Sequence, residues 1–319
     1  MSLIFGPVPS RRFGRSLGID VIPAKTCSFD CIYCESGPTT RLSVKREDFA
    51  DPVEVLRELD DFFRRFPNGA DVLTFSSAGE PTLYLRLGEL IRAIKGTYPH
   101  LPLVVLTNGS LLLDTEVRRD LLLADTVVPS LDAATPGIFS RINRPHPALS
   151  LPDILEGLYA FRRDYKGRLH LEIMLAHGVN DSPEELRALA RAAERIAPDR
   201  IELNTVARPP AHAGTEGLPE ERMRRAASYF ASDRTAIIGV FAGCGEHAGD
   251  ADIAARILQT IERRPCTIPE LAASLGISEE RLEAESIRLR DQAKLVIQAF
   301  DGKSFLCLPG RDPRSSRTR

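Results

Sequence analysis

Between residues 17 and 206 the chain alternates short β-branched runs with stretches of helical periodicity, and this alternation restricts its fold more than any other feature. The runs cover residues 17–23, 71–77, 103–107, 126–132, 169–175 and 200–206. They are nearly continuous in apolar residues, as strands buried on both faces must be. The segments between them carry apolar side chains three and four apart, as with Val53, Leu56, Leu59, Phe62 and Phe63 in 52–66, and again in 183–196. That spacing predicts helices. Strands and helices in this order give an α/β fold with a parallel sheet covered by helices. The sheet is either open and doubly wound or a partly closed barrel, and counting strands does not choose between them. In both cases ligands bind beyond the C-terminal ends of the strands. Polar clusters do follow the strands, at 76–82, 107–110, 130–132, 177–181 and 208–210, so one rim is expected to carry the chemistry.

At 319 residues with 43% hydrophobic content, the chain can fill one large core and a smaller second one. A net charge of -2 gives no overall basic field, so any nucleic-acid contact would need local patches. The longest apolar run, 101–106, is far too short to span a membrane, and the N-terminus lacks a charged segment leading into an apolar signal stretch. A cytoplasmic protein without a membrane partner is therefore expected.

The pattern changes at a glycine-rich stretch, 239–249, with Gly243, Gly245 and Gly249. Beyond it, helices are expected over 252–263, 267–275 and 278–292, the last starting at a Ser278 cap with Glu280 and Glu283 nearby. Strands at 295–300 and 304–308 flank Asp301-Gly302, a tight hairpin signal. Three short helices and a hairpin resemble a winged helix. The expected organisation is a barrel over 1–242, a hinge at 243–250, a winged-helix-like domain over 251–309 and a disordered basic tail at 310–319. The would-be recognition helix sets Glu279, Glu280, Glu283, Glu285 and Asp291 against Arg281, Arg288 and Arg290, which suits packing on the barrel or docking a peptide better than gripping a duplex.

Six cysteines are too few for a disulfide scaffold, and three of them crowd into Cys27-Ser28-Phe29-Asp30-Cys31-Ile32-Tyr33-Cys34, directly after the first run. Cys266 and Cys307 read as packing residues, and Cys244 sits alone between glycines. Three thiolates on one loop can hold three irons of a cubane and leave the fourth open to another ligand. The alternative is zinc, which wants a fourth ligand that only a distant Cys244 or His247 would supply. The three-cysteine spacing, with aromatic Tyr33 before the last cysteine, resembles the signature of the radical S-adenosylmethionine superfamily. That resemblance implies a partial (β/α)6 radical SAM barrel, a 4Fe-4S cluster on Cys27, Cys31 and Cys34, and S-adenosyl-L-methionine bound at the open iron. It also implies reductive cleavage to a 5′-deoxyadenosyl radical and an electron donor such as flavodoxin or ferredoxin.

Within the resemblance, Ser77-Ala78-Gly79-Glu80 is similar to the family's Gly-Gly-Glu motif, with Ala78 at its first glycine. Its backbone and the Glu80 carboxylate would face an ammonium group; the plainer reading places Glu80 at a helix N-terminus, where acids commonly sit. Thr107, Asn108, Ser130 and Asp132 would face the ribose or the methionine carboxylate, and Arg144 would fork onto a carboxylate. Gly178 and Val206 would meet the adenine through their backbones, beside Tyr33.

For the substrate, Arg11, Arg12 and Arg15 lie in an opening loop at 6–18, and Arg208 follows the sixth strand. These suit phosphate or carboxylate, or else pair with barrel acids. The opening loop, the strand at 18–23 and the Arg-Pro-Pro at 208–210 resemble a branch related to the wyosine-forming tRNA enzymes. Those enzymes carry further cysteines for a second cluster, and this chain has none before Cys27, so the tRNA reaction does not transfer. An RNA base and a peptide or protein, including a glycyl-radical partner, both stand as substrates. The competing class is a non-catalytic iron-sulfur sensor with a winged helix.

Overall fold

The computed structural model describes residues 2–10, 12–238, 253–275 and 277–310. Arg11, the glycine-rich stretch with Cys244 and His247, and the basic tail lie outside the described residues.

Eight strands form one sheet in the order β1-β2-β5-β6-β7-β8-β9-β10. They are β1 (Ile4–Ser10), β2 (Gly14–Ile19), β5 (Val72–Phe75), β6 (Leu103–Thr107), β7 (Thr126–Pro129), β8 (Arg168–Leu175), β9 (Arg200–Thr205) and β10 (Thr235–Ile237). Two-residue strands β3 (Thr26–Cys27) and β4 (Arg41–Leu42) pair separately. From β2 onward every neighbour in the large sheet is parallel, while β1 runs antiparallel to β2. Two expectations are corrected here. The parallel set has a seventh member, β10, and residues 6–18 are not a loop but most of a β1–β2 hairpin.

Helices α1 (Pro52–Arg65), α2 (Leu87–Thr97), α3 (Thr115–Leu121), α4 (Pro136–Ile142), α5 (Leu151–Asp164), α6 (Pro183–Ile196) and α7 (Glu220–Ala227) connect the strands. Their starts follow local chemistry. Asp51 accepts from Val53 N ahead of Pro52, and Ser182 accepts from Glu185 N ahead of Pro183, so cap and proline together set each first turn. Leu17, Leu73, Val105, Val127, Leu171 and Leu203 point to this helical layer and are fully buried. Val72, Val104 and Val128 make a separate small cluster with Phe13 on the other, inner face.

That inner face is curled enough for one side chain to cross it. From the β1–β2 turn, the Arg12 guanidinium reaches Glu172 on β8 at 2.8 Å and Glu202 on β9 at 2.7 Å. The sheet is therefore a partial barrel, with ion pairs joining the β1–β2 turn to β8 and β9 across its inner face. Burial would raise the Glu202 carboxyl, but the hydrogen bond from His170 and the charge of Arg12 outweigh it and hold the group below its ordinary value. The stability this gives is present above the usual carboxylate range and lost as pH falls through the lowered pKa. Arg12→Met leaves a fully buried carboxylate without its main countercharge, so a loss of about 3 kcal/mol in urea unfolding is expected.

The C-terminal module comprises α8 (Ile253–Arg263), α9 (Ile268–Leu275) and α10 (Glu279–Asp291), followed by the hairpin β11 (Val296–Phe300) and β12 (Lys303–Cys307). Ser278 caps α10 through Arg281 N, and Asp301 and Gly302 turn the hairpin at φ 47 and 69. Ile257, Ile261, Leu271, Leu282, Leu289 and Leu306 form its own core. The module is seated on the barrel edge, where α9 lies against β1 and Ser274 Oγ donates to Pro7 O at 2.9 Å. No helix among the described residues is long and apolar enough to cross a membrane.

Candidate active site at the three-cysteine loop

The loop that follows β2 carries Cys27, Cys31 and Cys34, all half-buried, at the C-terminal rim of the parallel strands. Neighbouring loops of that rim hold it from several sides. Asp30 N donates to Asn143 O (3.0 Å), His146 N to Ser28 O (2.9 Å) and His212 N to Ile32 O (3.0 Å). Ser28 Oγ meets Ser110 Oγ at 2.7 Å and accepts from Asn108 Nδ2 at 2.8 Å. The loop is thus preorganised by the polar cluster after β6, through Asn108 and Ser110, and by the segments that follow α4 and β9.

Burial pushes the Cys27 thiol up to about 12, with the nearby Glu80 carboxylate adding to the rise. Cys31 also lies well above its ordinary value, again through burial first, then Asp132 and the neighbouring thiols. Crowded thiols of this kind ionise together only when a cationic centre compensates them, which is the chemistry of a metal or cluster site. Among the described residues, no group of three His, Cys, Asp or Glu side chains is arranged around one metal ion. A cubane instead draws its thiolates to separate corners.

Beside the thiols lies the segment 77–80. Gly79 is required there, because a Cβ would stand 2.1 Å from Thr26 O, while Glu80 N donates to that same carbonyl at 3.2 Å. Gly79→Ala should therefore displace the strand leading into Cys27, read as a lower melting temperature and a loss of most iron on reconstitution. Ser77 Oγ is buried and has no hydrogen-bond partner in the protein, which leaves a polar atom of this segment ready for a ligand.

Glu80 itself does not face outward. It caps the short 3-10 turn Pro81–Leu83, accepting from Thr82 N (3.0 Å), Thr82 Oγ1 (2.6 Å), Thr107 Oγ1 (2.6 Å) and Asn108 N (2.7 Å). Burial raises its carboxyl, against the lowering effect of those four donors. The helix-start reading of Glu80 is the one the geometry supports. Thr107 is turned inward too: its hydroxyl donates to Glu80 and accepts from Gly109 N. Asn108 packs onto the cysteine loop, and half-buried Ser130 lies on the inner face beside Glu172.

Asp132 is a buried hub. Its carboxylate accepts from Tyr33 OH (2.5 Å), Asn143 Nδ2 (2.7 Å) and Met174 N (2.9 Å), and burial raises it to about 6. Asn180, fully buried, donates to the Asp132 and Met174 carbonyls at 2.8 Å each. Tyr33 is thereby fixed at the rim, its hydroxyl pushed well above its usual value by burial and by Asp132. Asn143 and Asn180 were not singled out from sequence, because a lone polar residue signals nothing until its partner, here Asp132, is known to lie beside it.

Other expected contacts are engaged elsewhere. Arg144, at φ 46, hydrogen-bonds through Nη1 to His212 Nε2 (2.7 Å) and lies near Asp30 (3.6 Å). Gly178, at φ +67, has open space beside it, and its carbonyl accepts from Arg141 at 2.6 Å. Val206 is buried, with Gly217 close to its carbonyl. Three arginines expected at the substrate are ion-paired instead: Arg12 as above, Arg15 with Asp71 at 2.7 Å, and Arg208 with Glu35 at 3.0 Å and Glu270 at 2.8 Å. Arg12 and Arg15 thus pair with acids of the barrel, whereas Arg208, the most buried of the three, joins Glu35 of the cysteine loop to Glu270 on α9 of the C-terminal module.

Over residues 21–190 the chain matches the family described as the Radical SAM superfamily. It is 32% identical to a UPF0026 protein of Methanocaldococcus jannaschii, over 96% of this chain and 95% of that one. It is 36% identical to a protein of Brachyspira hyodysenteriae named GTPase Obg, over 94% of this chain but only 44% of that longer protein. Its fold resembles that of a radical SAM methyltransferase from Sphaerobacter thermophilus, with a TM-score of 0.54 at 18% identity over 70% of this chain and 66% of that one.

Proposed function

The chain belongs to the radical SAM superfamily, enzymes that use S-adenosylmethionine with a 4Fe-4S cluster, and from that membership we propose that Cys27, Cys31 and Cys34 are the cluster ligands. The observation that carries the proposal is the rim itself: three crowded thiols whose loop is hydrogen-bonded to the segments that follow β6, α4 and β9, beside a glycine-opened segment with an unpartnered Ser77 hydroxyl. When bound, the cluster supplies an electron that breaks the sulfonium bond of S-adenosylmethionine, releasing a 5′-deoxyadenosyl radical that takes hydrogen from the substrate.

This chain's own residues then have separable tasks. Gly79 lets the 77–80 backbone approach the cysteine loop, and Ser77 and that backbone would meet the methionine ammonium. Glu80, Thr82, Thr107 and Asn108 brace this cradle from behind rather than touching the ligand. Asp132, with Asn143 and Asn180, holds Tyr33 against the adenosyl side, where Ser130, Gly178 and Val206 complete the wall. The half-buried inner face of β8 and β9 carries Glu172, Met174 and Asn204 and is the substrate side.

Arg12, Arg15 and Arg208 are held by carboxylates, which removes three cations that phosphate recognition would use and favours a peptide or protein substrate over RNA. The C-terminal module, read as winged-helix-like, fits the same preference through its mixed-charge α10. A small electron-transfer protein of the flavodoxin or ferredoxin type would deliver the electron.

Anaerobic reconstitution with iron and sulfide, followed by dithionite and S-adenosylmethionine, is expected to yield 5′-deoxyadenosine and methionine. A 4Fe-4S spectrum without 5′-deoxyadenosine would refute the enzymatic reading. Copurifying tRNA with an altered nucleoside profile in a deletion strain would overturn the preference for a peptide.

A further inference from the structure

Each thiol of the loop receives one side-chain N–H donor, and each of these comes from a different residue. Asn108 Nδ2 stands 3.6 Å from Cys27 Sγ, Asn143 Nδ2 3.4 Å from Cys31 Sγ, and Lys25 Nζ 3.3 Å from Cys34 Sγ. The two amides are neutral, whereas Lys25 brings a full positive charge to within contact of a ligand sulfur.

Lys25 is not a surface lysine that happens to lie nearby. Its backbone sits at φ 61, a conformation unfavourable for a residue with a side chain, and is pinned on both sides. Its N–H donates to Ala78 O at 2.7 Å, and its carbonyl accepts from Thr40 N (3.1 Å) and Arg41 N (3.0 Å). The residue therefore joins the 77–80 cradle to the cysteine loop, and its side chain leaves this junction toward Cys34. Among the described residues its ammonium meets that sulfur and no carboxylate, unlike Arg12, Arg15 and Arg208.

We propose that Lys25 is a positioning residue that raises the reduction potential of the cluster, an inference that rests on the ligand assignment above. Reduction adds an electron to a centre already surrounded by three thiolates. A fixed ammonium hydrogen-bonded to one of them stabilises the more negative state more than the oxidised one, and in a half-buried site the effect is weakly screened. The two neutral amides act in the same direction with less force, because hydrogen bonds carrying a full charge are roughly twice as strong as neutral ones. Lys25 thereby lets a weaker electron donor reduce the cluster.

The test is a redox titration of the reconstituted full chain, followed by electron paramagnetic resonance. Lys25→Met should make reduction about tenfold less favourable, which is 59 mV for a one-electron couple, while Lys25→Arg stays near the wild type. Lys25→Gln, which keeps an N–H donor without the charge, should fall between them. An unchanged potential in Lys25→Met with the cluster intact overturns the proposal. If Lys25→Met does not hold its cluster, an unchanged potential in Lys25→Gln overturns it equally. Failure of the wild type to take up iron would instead refute the underlying ligand assignment.

Discussion

Replacing Cys31 with alanine is expected to bring bound iron and 5′-deoxyadenosine formation down to background together. Cys31 is the middle one of the three proposed ligands, and its sulfur faces the Asn143 amide at 3.4 Å in a buried setting. Two thiolates cannot hold three corners of a cubane, so the loss should be complete rather than graded. Cys266→Ala is the control. That thiol is buried in the C-terminal core, and its removal should leave iron content unchanged at a small cost in stability. Retained iron or retained cleavage in Cys31→Ala, measured by metal analysis and product chromatography, would remove Cys31 from the ligand set.

The second large effect is expected at Asp132. Asp132→Leu strands the Tyr33 hydroxyl, the Asn143 amide and the Met174 N–H, three donors that lose their acceptor inside the protein. An unsatisfied buried donor costs about 1–3 kcal/mol, so denaturant unfolding should show a loss of roughly 3 kcal/mol or more. Because Asn143 also donates toward Cys31, cluster loading should fall with it. Asp132→Asn keeps one acceptor oxygen and should recover part of both losses. Equal behaviour of the two variants would mean that the carboxylate is not the hub described above.

β5, β6 and β7 were legible because a parallel strand buried on both faces is largely apolar, and 103–107 corresponds to β6 without a shift, whereas β8 and β9 showed through the alternating apolar residues of their helix-facing side. The C-terminal helices were legible for a different reason: Ser278 and the Asp301-Gly302 pair are local chemical necessities, a cap and a left-handed turn. β1 was not legible, since Gly6, Pro7 and Pro9 all argue against a strand and only its place at the sheet edge tolerates them. β10 was missed because three residues carry no periodicity.

At the site, residue types were legible but directions were not. Glu80 and Thr107 were expected to face a ligand and instead face one another, a fact fixed by how two loops pack. The same holds for Arg12 and Arg208, whose carboxylates lie far away in sequence. Sequence names the groups that can do chemistry; tertiary packing decides which of them are turned inward to hold the others in place.

The seat of the C-terminal module on β1 bears on how the edge of the sheet is closed. An outermost strand ordinarily offers a row of free amides and carbonyls on which another chain can add. On β1, Pro7 and Pro9 have no amide hydrogen to offer, Ser274 occupies the Pro7 carbonyl, and α9 lies alongside. The module thus covers the β1 edge against strand addition, a task done by a domain that takes no part in forming the sheet.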